Sequence, residues 1–303
     1  MIDLSIEIGS LRLKNPVTAA SGTYGYGTDY LSFYPPGKLG AVFLKGITRR
    51  PSSGNAAPRV METPSGMLNA IGLQNVGLES FIMEKLPALD GIEGVFIANI
   101  AGETIEEASE IARALNDAPN LSALELNVSC PNVRQGGMAF GVSPAATEEI
   151  TRAVRQSTTL PLIVKLTPNV TDITEIARAA QSGGADAVSL INTLVGMVID
   201  IERRRPVLGN LTGGLSGPAI RPVAVRMVWD VYRAVKIPVI GMGGIRTWRD
   251  AIEFFLAGST ALSMGTAVFQ DPFAPLEVMD GVRKYLEKCG CKSIRDIIGA
   301  GHE

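Results

Sequence analysis

A thiol set between two amides is the first group in this chain that could do chemistry. In NVSCPN, from Asn127 to Asn132, Cys130 ends the apolar run LSALELNV and precedes Pro131. The chain holds 3 cysteines and a single histidine, His302. His302 is penultimate and, like most chain ends, is expected to be mobile. A Ser-His-Asp or Cys-His pair and a histidine zinc site are thereby excluded. An acid or base must come from Cys, Lys, Asp, Glu or Tyr. A free thiol with pKa of about 8.5 is a few per cent ionised at neutral pH, so a thiolate base gains activity on the alkaline side. The competing reading of Cys130 is a small buried hydrophobe, the usual fate of a cysteine after an apolar strand. Cys289 and Cys291, in EKCGCKS, read as surface or loop residues without further metal ligands nearby in sequence.

Two lysines are equally hard to place as packing. Lys45 sits in AVFLKGI and Lys165 in LIVKLTP, each flanked by large apolar side chains. Lysine rarely enters a core unpaired, although its stem can carry the ammonium to water from a strand end. Two such lysines at matching positions favour an anionic ligand. Other apolar runs end in Ser21, Asn99, Asn127, and Asn192 with Thr193. Taken singly, each could merely cap a strand. Late in the chain, IGMGGIRTWRD (240–250) and SMGTAVFQD (263–271) finish strand-like runs in small, glycine-rich turns that lead into helices. Backbone N–H groups in such turns bind phosphate without a basic side chain. GMGGIR does not complete a dinucleotide fingerprint, because Arg246 takes the place of the last glycine.

Positioning these groups requires a repeated scaffold, and the pattern supplies one. Eight short, nearly continuous apolar runs recur at 16–21, 40–48, 94–102, 122–130, 161–168, 185–193, 237–245 and 259–267. Such runs suit parallel strands buried on both faces. Amphipathic segments lie between them. TIEEASEIARALN (104–116) opens with a capping box, Thr104 and Glu107, and sets Ile105, Ala108, Ile111, Ala112 and Leu115 on one face. Segments 143–157, 172–185 and 248–259 carry Ser-Pro starts or glycine stops. Eight repeats without a break in composition predict an α/β chain, one (β/α)8 TIM barrel over residues 1–303, with a doubly wound sheet as the alternative. An N-terminal β-hairpin, LSIEI-GS-LRLKN, precedes it. Long connections at 51–77 and 131–142 fall at the C-terminal face, where barrel sites are built.

The composition closes other classes. At 303 residues and 46% hydrophobic, the chain can bury a large core. A net charge of −2 argues against nucleic acid or an anionic membrane surface as partner. No apolar stretch reaches spanning length and no leader pattern opens the chain, so the cytoplasm is the expected compartment.

With these residues in view, NVSCPNVRQGGMAFG (127–141) closely resembles the active-site segment of the class I dihydroorotate dehydrogenases, most like the NAD-linked class IB branch. NPVTAASGTYGYG, FLKGIT, NAIGLQNVG, VKLTPNV, INTLVGM, LTGGLSGPAI, GMGGI and SMGTA extend the resemblance over nearly the whole chain in the family's order. The resemblance implies a barrel that holds one FMN and oxidises dihydroorotate to orotate in pyrimidine biosynthesis. FMN contacts are expected from Ser21, Lys45, Gly46, Asn99, Asn127 and Lys165, and from Ile191, Gly217, Gly243, Gly244, Gly265 and Thr266. Substrate contacts are expected from Lys45, Asn69, Ala70, Ile71, Gly72 and Leu73, and from Asn127, Asn132, Asn192 and Thr193. Cys130 is the expected base, taking a proton from C5 while a hydride leaves C6.

NAD+ linkage in that branch uses a second subunit carrying FAD and a 2Fe-2S cluster. This chain lacks the dinucleotide fingerprint, and 3 cysteines fall short of four cluster ligands. An electron-transfer partner is therefore expected to supply them, around a homodimer of this chain in a heterotetramer. Without it the chain is expected to reduce dyes but not NAD+. The fumarate-linked class IA branch and a pyrimidine-reducing relative stay open. A Schiff-base lyase using Lys165 or Lys45 is the rival from another class, and a non-catalytic binding subunit a third.

Overall fold

The computed structural model describes residues 2–129, 134–135 and 138–302. Cys130, Asn132 and part of the 131–142 connection lie outside them. Eight parallel strands close into a barrel: β1 Val17–Ala19, β2 Ala41–Phe43, β3 Phe96–Ile100, β4 Ala123–Asn127, β5 Leu162–Lys165, β6 Ala187–Leu190, β7 Val239–Gly241 and β8 Ala261–Met264. Each falls inside one of the eight apolar runs. Chain neighbours are barrel neighbours, and β8 pairs with β1, so the doubly wound alternative is excluded. All eight strands are buried throughout, as strands covered by helices outside and side chains inside must be.

Among the described residues six helices of nine residues or more flank the barrel: α1 Ile105–Leu115, α2 Pro144–Arg155, α3 Ile173–Ser182, α4 Arg221–Ala234, α5 Trp248–Leu256 and α6 Ala274–Lys288. The expected face of α1 is the buried one, through Ala108, Ile111, Ala112 and Leu115. Its capping box is only half formed. Thr104 accepts from the Glu107 amide, but the Glu107 carboxylate accepts from the amide of Glu103 rather than of Thr104. A reciprocal box forms instead at α5, between Thr247 and Asp250.

The repeats after β1, β2 and β6 depart from the regular pattern. Between β1 and β2 the helix shrinks to a 3-10 turn at Pro36–Lys38. The preceding GTYGYGTDYLSFYPPGK explains this, since its glycines and adjacent prolines oppose helix growth. After β2 the chain runs out into a hairpin, Val60–Thr63 with Gly66–Asn69. That hairpin joins Leu194–Gly196 and Gly213–Ser216 in a four-stranded antiparallel sheet over the barrel mouth. The 51–77 connection was expected as a loop. Its pairing with the excursion after β6 is invisible locally, because these short glycine-bearing segments find partners about 145 residues away.

The expected N-terminal hairpin, Ile6–Ile8 with Leu11–Leu13, lies at the other end of the barrel. A Cβ on its Gly9 would sit 3.0 Å from Asp186 Cβ, just before β6, and Ile6, Ile8 and Leu13 are buried. His302 is held rather than mobile. Its ring stacks on Trp229 at 3.6 Å, and Nε2 lies 3.0 Å from the Ala257 carbonyl. Cys289 is exposed and Cys291 half-buried, as surface and loop positions should be. Among the described residues no helix is long and apolar enough to cross a membrane.

Candidate active site

At the carboxyl ends of the strands a cavity of about 1070 Å³ opens beneath the mouth sheet. It gathers Ser21 after β1, Lys45 and Gly46 after β2, Asn99 of β3, Asn127 of β4 and Lys165 of β5. Ile191, Asn192 and Thr193 follow β6, Gly217 follows the mouth sheet, Gly243 and Gly244 follow β7, and Gly265 and Thr266 follow β8. The mouth hairpin adds Asn69, Ala70, Ile71, Gly72 and Leu73. Every described residue expected from sequence to contact cofactor or substrate thus lines one cavity. Cys130 and Asn132 lie outside the described residues, while Ser129, the residue before Cys130, lines the wall.

The charge balance suits an anion. Among the described residues Lys45, Lys165 and Arg246 line the cavity against one carboxylate, Glu62. Lys165 is only 5% exposed, and its Nζ donates to Ser21 Oγ at 3.3 Å, across the mouth from β5 to β1. Lys45 is half-buried. In the sequence Arg246 marks only a missing fingerprint glycine, though its place just after the Gly-Gly turn is the signal that it faces the cavity.

The amides are arranged by their own neighbours. Asn127 Oδ1 accepts from the amide and hydroxyl of Ser129, so its NH2 is left to donate elsewhere. Asn192 is anchored in the wall at both ends, donating to Ser129 Oγ and accepting from the Thr193 amide at 2.9 Å, which leaves one N–H and one Oδ1 lone pair for a ligand. Asn169, not anticipated, straps two loops together by donating to Thr167 Oγ1 and the Thr193 carbonyl and accepting from the Val195 amide. In the 69–77 segment Leu73 has φ of 52°, a left-handed conformation that a branched residue rarely adopts. Asn75 holds it there. Its NH2 donates to the Leu73 carbonyl at 2.7 Å, and its Oδ1 accepts from the Gly77 amide at 2.8 Å.

Thr193 is set by the mouth sheet. A Cβ on Gly214 would come within 1.9 Å of Thr193 Oγ1 and 2.6 Å of its Cβ. Gly214→Ala is therefore expected to displace Thr193 and cost about 1–3 kcal/mol, read by urea denaturation. A variant as stable as the parent would mean that the sheet does not fix Thr193.

Four of the 6 tyrosines are removed from the list of bases. Burial pushes the Tyr24 phenol far above its ordinary range and that of Tyr34 up to about 12. Burial also raises Tyr26 and Tyr30. These phenols stay neutral at physiological pH.

The two late turns have the form of a phosphate cradle. Gly243 and Gly244 have φ of 127° and 75°, and a Cβ on Gly243 would meet Ala224 Cβ at 2.8 Å, so packing alone demands glycine there. Gly265 is different. A Cβ there would have Ala20 Cβ at 3.9 Å and Thr23 Cγ2 at 4.0 Å as its nearest neighbours, which is ordinary contact. The fold does not itself require glycine at that position, so the bare backbone there is open to close approach from the cavity. Among the described residues none accepts from the backbone N–H groups of Gly243, Gly244 or Gly265. Ser263 Oγ, buried and on the cavity wall, also lacks a partner among them. A phosphate-bearing planar cofactor such as FMN fits this donor set: bare backbone at one end, amides and lysines at the other.

Closed barrel, glycine-bearing late turns and cationic mouth together place the chain among the (β/α)8 barrels whose site lies at the carboxyl ends of the strands. The Dihydroorotate dehydrogenase family model matches residues 3–286. The chain is 54% identical over 298 residues to the dihydroorotate dehydrogenase B (NAD(+)) catalytic subunit of Geotalea uraniireducens, covering 98% of each chain. The protein of the same name from Bacteroides thetaiotaomicron is 54% identical over 300 residues, covering 99% of each. That from Trichlorobacter lovleyi is 54% identical over 297 residues, covering 98% of each. The chain belongs to the dihydroorotate dehydrogenase family.

Proposed function

We propose that this chain is the catalytic subunit of an NAD+-linked dihydroorotate dehydrogenase, a single FMN-binding barrel that oxidises dihydroorotate to orotate in pyrimidine biosynthesis. The observation that carries the reading is the cavity: lysines, amides and a glycine cradle meet there, in a chain 54% identical to relatives of that name over nearly full length. Gly243, Gly244, Gly265 and Thr266 would hold the FMN phosphate, with Ser21, Lys45, Gly46, Asn99, Asn127, Lys165, Ile191 and Gly217 around the rest of the cofactor. FMN, when bound, supplies the acceptor for the hydride that leaves C6 of dihydroorotate.

The chain's own residues do the rest. Lys165, buried and positively charged, favours negative charge developing beside it. Lys45 attracts the carboxylate of the substrate. The amides of Asn69, Asn127, Asn132 and Asn192 match a ring edge that offers alternating donors and acceptors, with Ala70 to Leu73 and Thr193 completing the enclosure. Cys130, as thiolate, takes the C5 proton. One proton and one hydride leave the substrate, and a carbon–carbon double bond forms between C5 and C6.

Electron transfer onward to NAD+ belongs to a partner subunit carrying FAD and a 2Fe-2S cluster. The relatives are named catalytic subunits, which supports a second polypeptide. A homodimer of this chain at the centre is supported by exposed apolar residues on and beside the mouth sheet, Val195, Met197, Ile199, Ile201 and Leu211. The proposed compartment is the cytoplasm, in keeping with a chain of 3 cysteines.

The test is direct. The purified chain is expected to be yellow, to lose its flavin colour with dihydroorotate under anaerobic conditions, and to leave NAD+ untouched. Flavin and iron counts on material co-purified from the native cell are expected to show the partner's groups. A colourless protein that takes up no FMN on reconstitution ends the proposal. Reduction of NAD+ by the bare chain ends the partner's part in it.

A further inference from the structure

Below the polar ring of the mouth lies a carboxylate that the reaction does not use. Glu125, in the middle of β4, is fully buried. Its Oε2 accepts from Asn99 Nδ2 at 2.5 Å, and its Oε1 accepts from Ser189 Oγ at 2.7 Å. Both partners are neutral and buried, and they come from β3 and β6. A carboxylate is expensive to bury, and an aliphatic side chain would fill a barrel interior at less cost.

The chemistry of the pair explains its presence. Both carboxyl oxygens of Glu125 accept, one from Ser189 Oγ and one from Asn99 Nδ2, so the Asn99 amide turns its NH2 toward Glu125 and its carbonyl oxygen away. That oxygen faces Gly46: a Cβ added there would lie 2.8 Å from Asn99 Oδ1. Asn99 and Gly46 both line the cavity. An asparagine beside a neutral, amphoteric neighbour could present either end, but beside a doubly anchored carboxylate it has one orientation.

We propose that Glu125 is a positioning residue that locks the Asn99 carbonyl oxygen as a fixed acceptor on the cavity wall, selecting a ligand whose ring offers an N–H there. The inference rests on the FMN reading and deepens it. The oxidised isoalloxazine ring carries a single N–H, at N3, flanked by two carbonyls, and its other polar ring atoms are acceptors. A ring without that N–H leaves a desolvated acceptor unpaired, the costly kind of mismatch.

The test compares two ligands of equal charge. The full chain, stripped of flavin, is titrated with FMN and with FMN methylated at N3, following flavin fluorescence. The parent is expected to prefer FMN by roughly 10- to 100-fold. In Glu125→Gln the glutamine can donate or accept, so the Asn99 amide can turn over and offer NH2 to a ring carbonyl. FMN affinity is then expected to stay within about twofold, while the methylated ligand tightens by roughly fivefold or more. A merely structural role would weaken both ligands together, and that result, or an unchanged preference, overturns the proposal. Asn99→Ala, which removes the acceptor, is expected to erase the preference by weakening FMN alone. If it keeps the preference, the proposal likewise fails. If neither ligand binds the parent, the FMN reading itself is wrong, which is a distinguishable result.

Discussion

Cys130→Ala is expected to bind FMN and orotate as the parent does, yet to lose reduction by dihydroorotate by about 10²- to 10⁴-fold, the usual range for removing a general base. The chain has few substitutes. Its single histidine is stacked on Trp229, and neither residue lines the cavity. The phenols of Tyr24 and Tyr34 are held neutral by burial. The carboxylate on the cavity wall among the described residues is Glu62, which is exposed on the mouth hairpin.

The sign of the pH dependence follows from the thiol. Its basic form is the deprotonated one, so reduction by dihydroorotate rises with pH and levels off once the thiol is ionised, near about 8.5 if the group is unperturbed. Anaerobic rapid mixing across that range gives the profile. A Cys130→Ala protein that reduces flavin within a few-fold of the parent, with the same profile, would put the base elsewhere.

Lys165→Met is expected to have the next largest effect. The substitution keeps most of the volume and removes a cation that is 5% exposed and held by Ser21. Charge stabilisation in a water-poor cavity is stronger than at a surface, and losing one such group costs about 10²- to 10³-fold in rate. A second readout separates this from disrupted packing. Removing a positive charge disfavours the electron-rich reduced flavin, so the midpoint potential is expected to fall, by about 30 mV for each tenfold change in the two-electron equilibrium. Lys45→Met should shift it less, because Lys45 is half-buried and better screened by solvent. An unchanged potential in Lys165→Met, with flavin bound, would show that the ammonium does not act on the cofactor.

Much of this site could be read from the chain itself. Each barrel strand lies within an apolar run, because burial on both faces leaves a mark at every position. Lys45 and Lys165 stood out for the same reason, as charges in stretches that otherwise exclude them. The Gly-Gly and Gly-Thr turns were legible because backbone donors need bare residues at strand-to-helix turns. The first repeat, with a turn in place of its helix, was less legible. Eight similar strands favour a regular reading, and only the prolines and glycines of the 22–38 segment spoke against it.

What the amino-acid order determined alone was which residues end the strands, since side-chain period and apolar run length are local properties. The tertiary structure decided what those residues touch. Closure of β8 on β1 brings Ser21 to Lys165 across 144 positions. Pairing of two distant hairpins sets Thr193 against Gly214. The barrel register sets Glu125 beside Asn99 on the neighbouring strand, turning an ordinary hydrophobic-strand glutamate into the group that aims an amide. Contacts of this kind depend on the angle and register at which strands close. Those are collective properties of the whole barrel, and no short segment encodes them.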